Sequence, residues 1–515
     1  RYRTPSPGAL TGAFSFAPDV FCCASMRCRP LYAALILAVG SHTLCGSAVR
    51  AEIDGLAAAF DAARIESGIP AAAFFVVSSN EVLALEAFGT TARDTDRAMR
   101  PDHLIRIGSI TKTVTALATM VEVEHGRLSL ETRVAAVLSP PPYVNAWSAT
   151  HPVTVAHLLE HTAGLRDLSA REFAFNEPVT LSAAFAVDPD SRRLRWPAGL
   201  HSSYSNSGAG IVSAVLEEIS GRAFTTLVEQ TIFRPLGMTS ASFAPDAAAR
   251  SRLITGYDAD GHTAIPYWHT LYPAFGGINV STRDMVPFVQ LFLNRGRHGT
   301  HQLVSERGLE RMETPATTLA ARTGLDYGYG LGVYDYERRG VAFHGHGGDA
   351  DGYLAHFAYS TALDRGYFVV INAFKRSALR RLRRMIEDAL IGDFRPAPPP
   401  ASVPPAPAHL RRLAGRYGPV SARFGSVEEN PGVEFRATAD GLVMLRAGGR
   451  QRLLVPVSRW HYRHEDESRA TMAFIACGAR LYFQGDAGNF VKLDGAAANA
   501  PPCVPATLDN PTARR

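Results

Sequence analysis

Ser109 and Lys112 stand three residues apart in Gly108-Ser109-Ile110-Thr111-Lys112, ahead of a helical run over 113–123 with few breakers. A serine hydroxyl is a weak nucleophile at neutral pH and needs a base within hydrogen-bond reach. A lysine at i+3 shares the serine's face one turn on, and desolvation can strip its proton, which no environment does for arginine. The chain writes Arg almost everywhere, with 50 arginines against three lysines at 112, 375 and 492, so a lysine at this spot is informative. A serine opening a helix also lies near free N–H groups and the positive end of the helix dipole.

Such a pair needs a group to pass a proton to the leaving atom and a group to hold the substrate. Tyr204-Ser205-Asn206 offers both. A phenol beside a cationic lysine is easier to ionise, and a carboxamide both donates to and accepts from a substrate amide. The same pattern recurs at Tyr143-Val144-Asn145, after three prolines, where a surface loop is expected. The glycine-rich run His344-Gly345-His346-Gly347-Gly348-Asp349 allows close backbone approach at a strand edge and an N–H for an oxyanion; a tight turn between strands is the other reading. His344 reads as a strand histidine. A different chemistry is written at His157-Leu158-Leu159-Glu160-His161, whose spacing fits a zinc site with both imidazoles on one helical face. It supports a remote alternative, a zinc metallohydrolase. Tyr267 and Trp268 suit either a pocket wall or the core.

The elements around these residues read as a mixed α/β domain. A helix over 53–65 and a hairpin of strands 72–78 and 82–88 precede the serine. Strands 353–360 and 366–372 and a helix over 377–390 follow the glycine-rich run, with mostly helix and loop between. The cluster Arg380, Arg381, Arg383 and Arg384 is expected on a solvated face of that last helix. The segment 394–407 is proline-rich and reads as an extended spacer. Beyond it, 408–512 alternates like the short strands of a small antiparallel barrel or sandwich.

Composition bounds the function. With 46% hydrophobic and 20% charged residues, the 515-residue chain fits a globular protein of two or three domains. Net charge is +5, but residues 1–51 hold five Arg against one Asp, leaving 48 basic and 47 acidic groups elsewhere. That balance gives no footprint for nucleic acid. Arg27 and Arg29, the apolar run over 31–40 and Val49-Arg50-Ala51 read as a secretory signal peptide, with 1–25 expected upstream of the true start and the apolar run too short for an anchor. A periplasmic or extracellular location, with no stable membrane insertion, is therefore expected. Four of six cysteines lie in that segment; Cys477 and Cys503 remain, either as one disulfide or as two buried thiols.

Taken in order, these motifs resemble the serine β-lactamase and penicillin-binding-protein-like hydrolases, in the branch of class C β-lactamases, D-alanyl-D-alanine carboxypeptidases and esterases. The likeness covers most of 52–393 and rests on Ser109-x-x-Lys112, 154–165, Tyr204-x-Asn206, 233–238, 276–285 and His346-x-Gly348. It implies an antiparallel sheet flanked by helices with a helical subdomain, and a small appended β-barrel over 408–512. It implies acylation of Ser109, activation by Lys112, proton relay by Tyr204 and an acyl-amide contact from Asn206. His346, Gly348 and Asp349 would bind substrate, the N–H groups of Ser109 and Asp349 forming the oxyanion hole. No cofactor or metal is implied, and the partner is a small-molecule or peptide substrate. Where β-lactamases carry Lys-Thr-Gly, this chain has His346-Gly347-Gly348, which weakens binding of a substrate carboxylate. An esterase or D-amino-acid peptidase is therefore favoured over efficient β-lactam hydrolysis. The alternative is a non-catalytic binding or sensory protein that keeps the fold.

Overall fold

The computed structural model describes residues 53, 55–173, 175–399, 401–403, 406–423, 432–485 and 488–493. The expected signal peptide and Cys503 lie outside the described residues; Cys477 is disulfide-bonded. Among the described residues no helix is long and apolar enough to cross a membrane.

Helix α1 covers 55–66. Strands β1 (Ala71–Val77) and β2 (Val82–Gly89) form the expected hairpin. After the helical insertion, which carries α2 (Thr111–Glu124) and α3 (Asn206–Ser220), come β3 (Tyr334–Arg338), β4 (Val341–Ala350), β5 (Tyr353–Ser360) and β6 (Arg365–Ile371), then α4 (Arg376–Ile391). They make one antiparallel sheet in the order β2-β1-β6-β5-β4-β3.

All seven residues of β1 are apolar and buried, because both sheet faces are covered. Side chains alternate across the strand. Ala72, Phe74 and Val76 join α1 and the Leu382, Ile386 and Leu390 stripe of α4, whereas Ala71, Ala73, Phe75 and Val77 join the core shared with α2 and α3. The helix α2 is buried at every position from Thr111 to Glu122. This explains its run of small and β-branched residues.

The C-terminal part closes into a barrel of eight antiparallel strands, β7 (Gly415–Pro419), β8 (Val433–Ala437), β9 (Leu442–Arg446), β10 (Gln451–Pro456), β11 (His461–His464), β12 (Met472–Cys477), β13 (Arg480–Gly485) and β14 (Gly488–Lys492), the last pairing back on β7. Of the two architectures expected for this segment, the barrel is the one observed. Alternation in β12 shows both faces at work. Phe474 packs inside with Phe435 and Phe483, while Ala473, Ile475 and Cys477 point outward onto Leu200, Leu319 and Leu325 of the sheet-bearing part.

Two expectations change. Within the proline-rich segment, Val403 N–H donates to Pro456 O (3.1 Å) and a helix, Pro407–Leu413, already begins, so part of it is tied to the barrel. Of the clustered arginines 380, 381, 383 and 384 on α4, three are exposed, but Arg383 turns inward. It lies over the Tyr336 ring and pairs with the buried Glu387 at 3.2 Å.

Candidate active site

Ser109 does not itself open an α-helix. It occupies the middle of a 3-10 turn, Gly108–Ile110, directly ahead of α2. The turn is forced tight by what it packs against. β3 pairs with β4 only over Val341–Gly345, so the half of β4 from His346 to Ala350 has a free edge, and the turn occupies it. Two glycines permit the approach. A Cβ on Gly108, whose φ is +50°, would meet Asp349 O at 2.6 Å and Asp349 N at 2.8 Å. A Cβ on Gly348 would sit 1.9 Å from Ile107 O.

Lys112 is buried (4% exposed) and its Nζ lies 3.1 Å from Ser109 Oγ, 2.6 Å from Asn206 Oδ1 and 2.9 Å from Phe275 O. Desolvation drives its pKa well below the ordinary lysine value, a shift that Asp167 and Asp349 only partly oppose. A neutral amine has two N–H donors and one lone pair. Two of the Lys112 N–H groups go to oxygens that can only accept, on Asn206 and Phe275, and its third contact is the serine hydroxyl. The other two lysines donate to main-chain carbonyls, Lys375 to Ser67 and Lys492 to Arg412.

Tyr204 lies beside them, its ring centroid 4.8 Å from Lys112 Nζ. The expectation of an easily ionised phenol is corrected here. Burial raises its pKa well above the usual tyrosine range, outweighing its hydrogen bond with Ser109. It stays protonated and is equipped to donate.

The buried His346 ring faces the same pocket (3% exposed), its Nδ1 2.5 Å from Gly347 O and its Nε2 2.8 Å from Tyr329 Oη. A carbonyl can only accept, so Nδ1 carries the proton and Nε2 accepts from Tyr329. Burial first, then Lys112, pushes its pKa down to about 3, so the ring is uncharged. Asp349 is present through its main chain: its exposed carboxylate turns away to Arg376 (2.7 Å). Gly347 N–H bonds Tyr334 Oη, and the alternation of a strand puts the Asp349 N–H on that same edge, toward the turn.

Three residues not anticipated, and His161 in a role other than the zinc ligand expected of it, complete the cluster. Asp167, its carboxylate fully buried, accepts from Asn206 N–H (2.9 Å) through Oδ1 and from Arg423 Nε (2.6 Å) through Oδ2. Arg423 follows β7 and stacks its guanidinium 4.4 Å from the Tyr204 centroid. Tyr329, half-buried, packs between His161 and His346. His161 packs 4.2 Å from the Tyr204 centroid, with φ of +57° and its Nδ1 accepting from Ser205 N–H. Only the left-handed backbone of His161, just ahead of Thr162-Ala163-Gly164, left a trace in the local sequence; Arg423 left none.

The zinc alternative fails on geometry. The helix Val155–Leu159 stops before His161, so the shared i, i+4 face is not formed. His157 Nδ1 caps that helix at Thr154, and Glu160 is engaged by Arg311, Ala316 and Thr317. The second Tyr-x-Asn is a loop device: Asn145 bonds His151 O and Trp147 N within its own turn.

Comparison with known proteins places the chain among relatives of one family. The family model described as Beta-lactamase matches residues 53–390. Penicillin-binding protein 4 of Amycolatopsis lactamdurans is 27% identical over 308 residues, 58% of this chain and 79% of that protein. A D-aminopeptidase of Brucella ovis is 27% identical over 364 residues, 68% of this chain and 63% of that protein. The octameric penicillin-binding protein homologue from Pyrococcus abyssi superposes with a TM-score of 0.55 at 21% identity, over 85% of this chain and all of that one, which is a likeness of fold. With a sheet, a helical insertion and a serine turn of this kind spanned by one family model, the chain belongs to the beta-lactamase family of serine hydrolases.

Proposed function

We propose that the protein hydrolyses an ester or a D-amino-acid peptide through an acyl-enzyme on Ser109, and that it does so after export. The observation that carries this is the Lys112 amine, buried, 3.1 Å from Ser109 Oγ, with two N–H groups donated to Asn206 and Phe275. As Oγ bonds to the substrate carbonyl carbon, its proton passes to Nζ. The N–H groups of Ser109 and Asp349 receive the oxyanion. Tyr204 donates its phenolic proton to the departing oxygen or nitrogen and is reprotonated from the Lys112 ammonium. Water then attacks the acyl-serine by the same route in reverse, releasing a carboxylic acid and restoring Oγ–H. Asn206, held by Lys112 and Asp167, orients the acyl amide.

Substrate class follows from the strand β4. A β-lactam presents a carboxylate that a fixed cation or hydroxyl must hold, and here the position carries an uncharged imidazole and two glycines. Neutral esters and D-aminoacyl amides make no such demand. The resemblance to a D-aminopeptidase supports the second class.

The test is hydrolysis of p-nitrophenyl acetate and of D-alanyl p-nitroanilide by the full chain, with Ser109→Ala alongside and chelator in both. Turnover by the native protein alone, with one acyl group found on Ser109 by mass spectrometry, is expected. Equal activity in both proteins, or none in either, refutes the nucleophile. Efficient cephalosporin cleavage with no esterase or amidase activity refutes the substrate class.

A further inference from the structure

Arg106 ends a short strand, Leu104–Arg106, three residues ahead of Ser109. It is 2% exposed, yet among the described residues its guanidinium makes no hydrogen bond and no ion pair, and its Nε is fully buried without a partner. It is held instead between rings, 4.0 Å from the Trp268 centroid and 5.0 Å from that of Tyr267. The Trp268 Nε1–H beside it is also buried and unpartnered. Aromatic faces attract a cation but accept none of its in-plane N–H bonds. Asp351 acts on this charge electrostatically but makes no hydrogen bond or ion pair with it, and buried polar groups ordinarily have partners. Here a cation and an indole, both donors, lack an acceptor.

For Arg106 the missing acceptor has a place to sit. Arg106 lines a cavity of about 430 Å³, within the usual range for a small-molecule site, whose walls are otherwise mainly apolar: Val179, Leu181, Phe224, Phe243 and Pro273. Glu217 also lines it, but its carboxylate accepts from Phe224 N–H at 2.7 Å. His269, 3.4 Å from Arg250, also lines it; burial, Arg250 and Arg106 lower its pKa, so it adds a polar imidazole and no second charge. None of Ser109, Lys112, Tyr204 and Asn206 lines this space. The helix Pro273–Gly276 stands between: its Phe275 carbonyl faces Lys112, while Pro273 faces the cavity.

We propose that this cavity is a second binding site, for an amphipathic monocarboxylate whose head pairs with the Arg106 guanidinium and whose hydrocarbon body fills the apolar wall. Arg106, Ile107, Gly108 and Ser109 are consecutive, so an occupant bears on the nucleophile turn through three peptide units.

The experiment is calorimetric titration of the full chain with octanoate and with 1-octanol, the same body without the charge. Octanoate is expected to saturate at one per chain and to bind at least about tenfold more tightly than octanol, the margin expected of a charge-assisted pair. Arg106→Gln should abolish that preference. Because a buried strand residue can compromise folding, Ala244→Trp, at an exposed position lining the cavity, is the second variant and should weaken octanoate at least about tenfold by filling the space. Ser109→Ala should bind octanoate as the native protein does, whatever becomes of the hydrolase reading. Equal affinity for octanoate and octanol, no saturable binding, unchanged binding in Ala244→Trp, or loss of binding in Ser109→Ala each overturns the proposal.

Discussion

Two adjacent glycines of β4 should respond to the same substitution in opposite ways. A methyl group on Gly348 would lie 1.9 Å from the Ile107 carbonyl oxygen, 2.8 Å from the Ile107 carbonyl carbon and 3.3 Å from Ile110 Cγ1. The first two are backbone atoms of the segment that carries Ser109, so no side-chain rotation relieves the clash. Restoring an ordinary contact of about 3.2 Å requires the strand and the turn to part by more than about 1 Å, and a misplacement of that size costs about 10²-fold in rate. The overpacking itself costs about 1–3 kcal/mol of stability. A methyl group on Gly347 would meet nothing nearer than Tyr334 Oη at 3.6 Å and His356 Cδ2 at 3.7 Å, which is normal van der Waals distance. Neither glycine has a left-handed φ, so the contrast is one of space alone. The assay is kcat/KM for p-nitrophenyl acetate together with thermal unfolding of both variants. Gly348→Ala should fold and lose about two orders of magnitude in activity, with Gly347→Ala within about threefold of native. Comparable activity in the two variants would refute the claim that β4 sets the position of the nucleophile.

Lys112→Arg should abolish turnover by on the order of 10³-fold, since a guanidinium cannot surrender its proton, while circular dichroism remains native. Because desolvation lowers the Lys112 pKa, the rise of kcat/KM with pH should come well below the ordinary lysine value of 10.5, and no falling limb should follow below pH 10 because the Tyr204 pKa is raised. Buried histidines predict acid sensitivity: His157, His201 and His346 have pKa values pushed down to about 4, 3 and 3. Folded values below the unfolded 6.5 mean that the unfolded chain binds more protons, so stability is full above pH 6.5 and falls toward pH 4. The slope is at most about 1.4 kcal/mol per pH unit per histidine, and urea unfolding at pH 7.5, 6 and 5 would read it. Arg192→Met should destabilise by about 3–5 kcal/mol in the same assay, because it strips the fully buried Glu172 of its partner at 3.1 Å; adding Glu172→Gln should restore part of the loss.

Ser109, Lys112, Tyr204, Asn206 and β4 were legible because each belongs to a short spacing whose chemistry is local: a turn, an i+3 face, a glycine-rich edge. The sheet was legible for the same kind of reason, since 72–78 and 353–360 are short, mostly apolar runs rich in β-branched or aromatic residues, and both are buried strands. Asp167, Tyr329 and Arg423 were not, because nothing beside them in sequence requires them; they act through contacts made only when distant segments pack. The ionisation of Tyr204 was misread for a related reason. Proximity to a lysine is visible in a motif, but desolvation depends on everything that surrounds the ring. Inward-turned Arg383 shows the same limit: Glu387 is its i+4 neighbour on α4, but Tyr336 comes from β3.

The stacking of Arg423 on Tyr204 bears on how such an enzyme can be cut or recombined. The family model ends at residue 390, which invites the view of the barrel as a detachable module. Yet without the barrel segment the Asp167 carboxylate would keep one oxygen on Asn206 and lose the Arg423 partner of the other, and Tyr204 would lose the guanidinium stacked on its ring. The outward face of β12 would also uncover Leu200, Leu319 and Leu325. A chimera carrying a foreign barrel would therefore need an arginine at one exact point of reach to inherit the active site, so the two parts of the chain are bound to vary in concert.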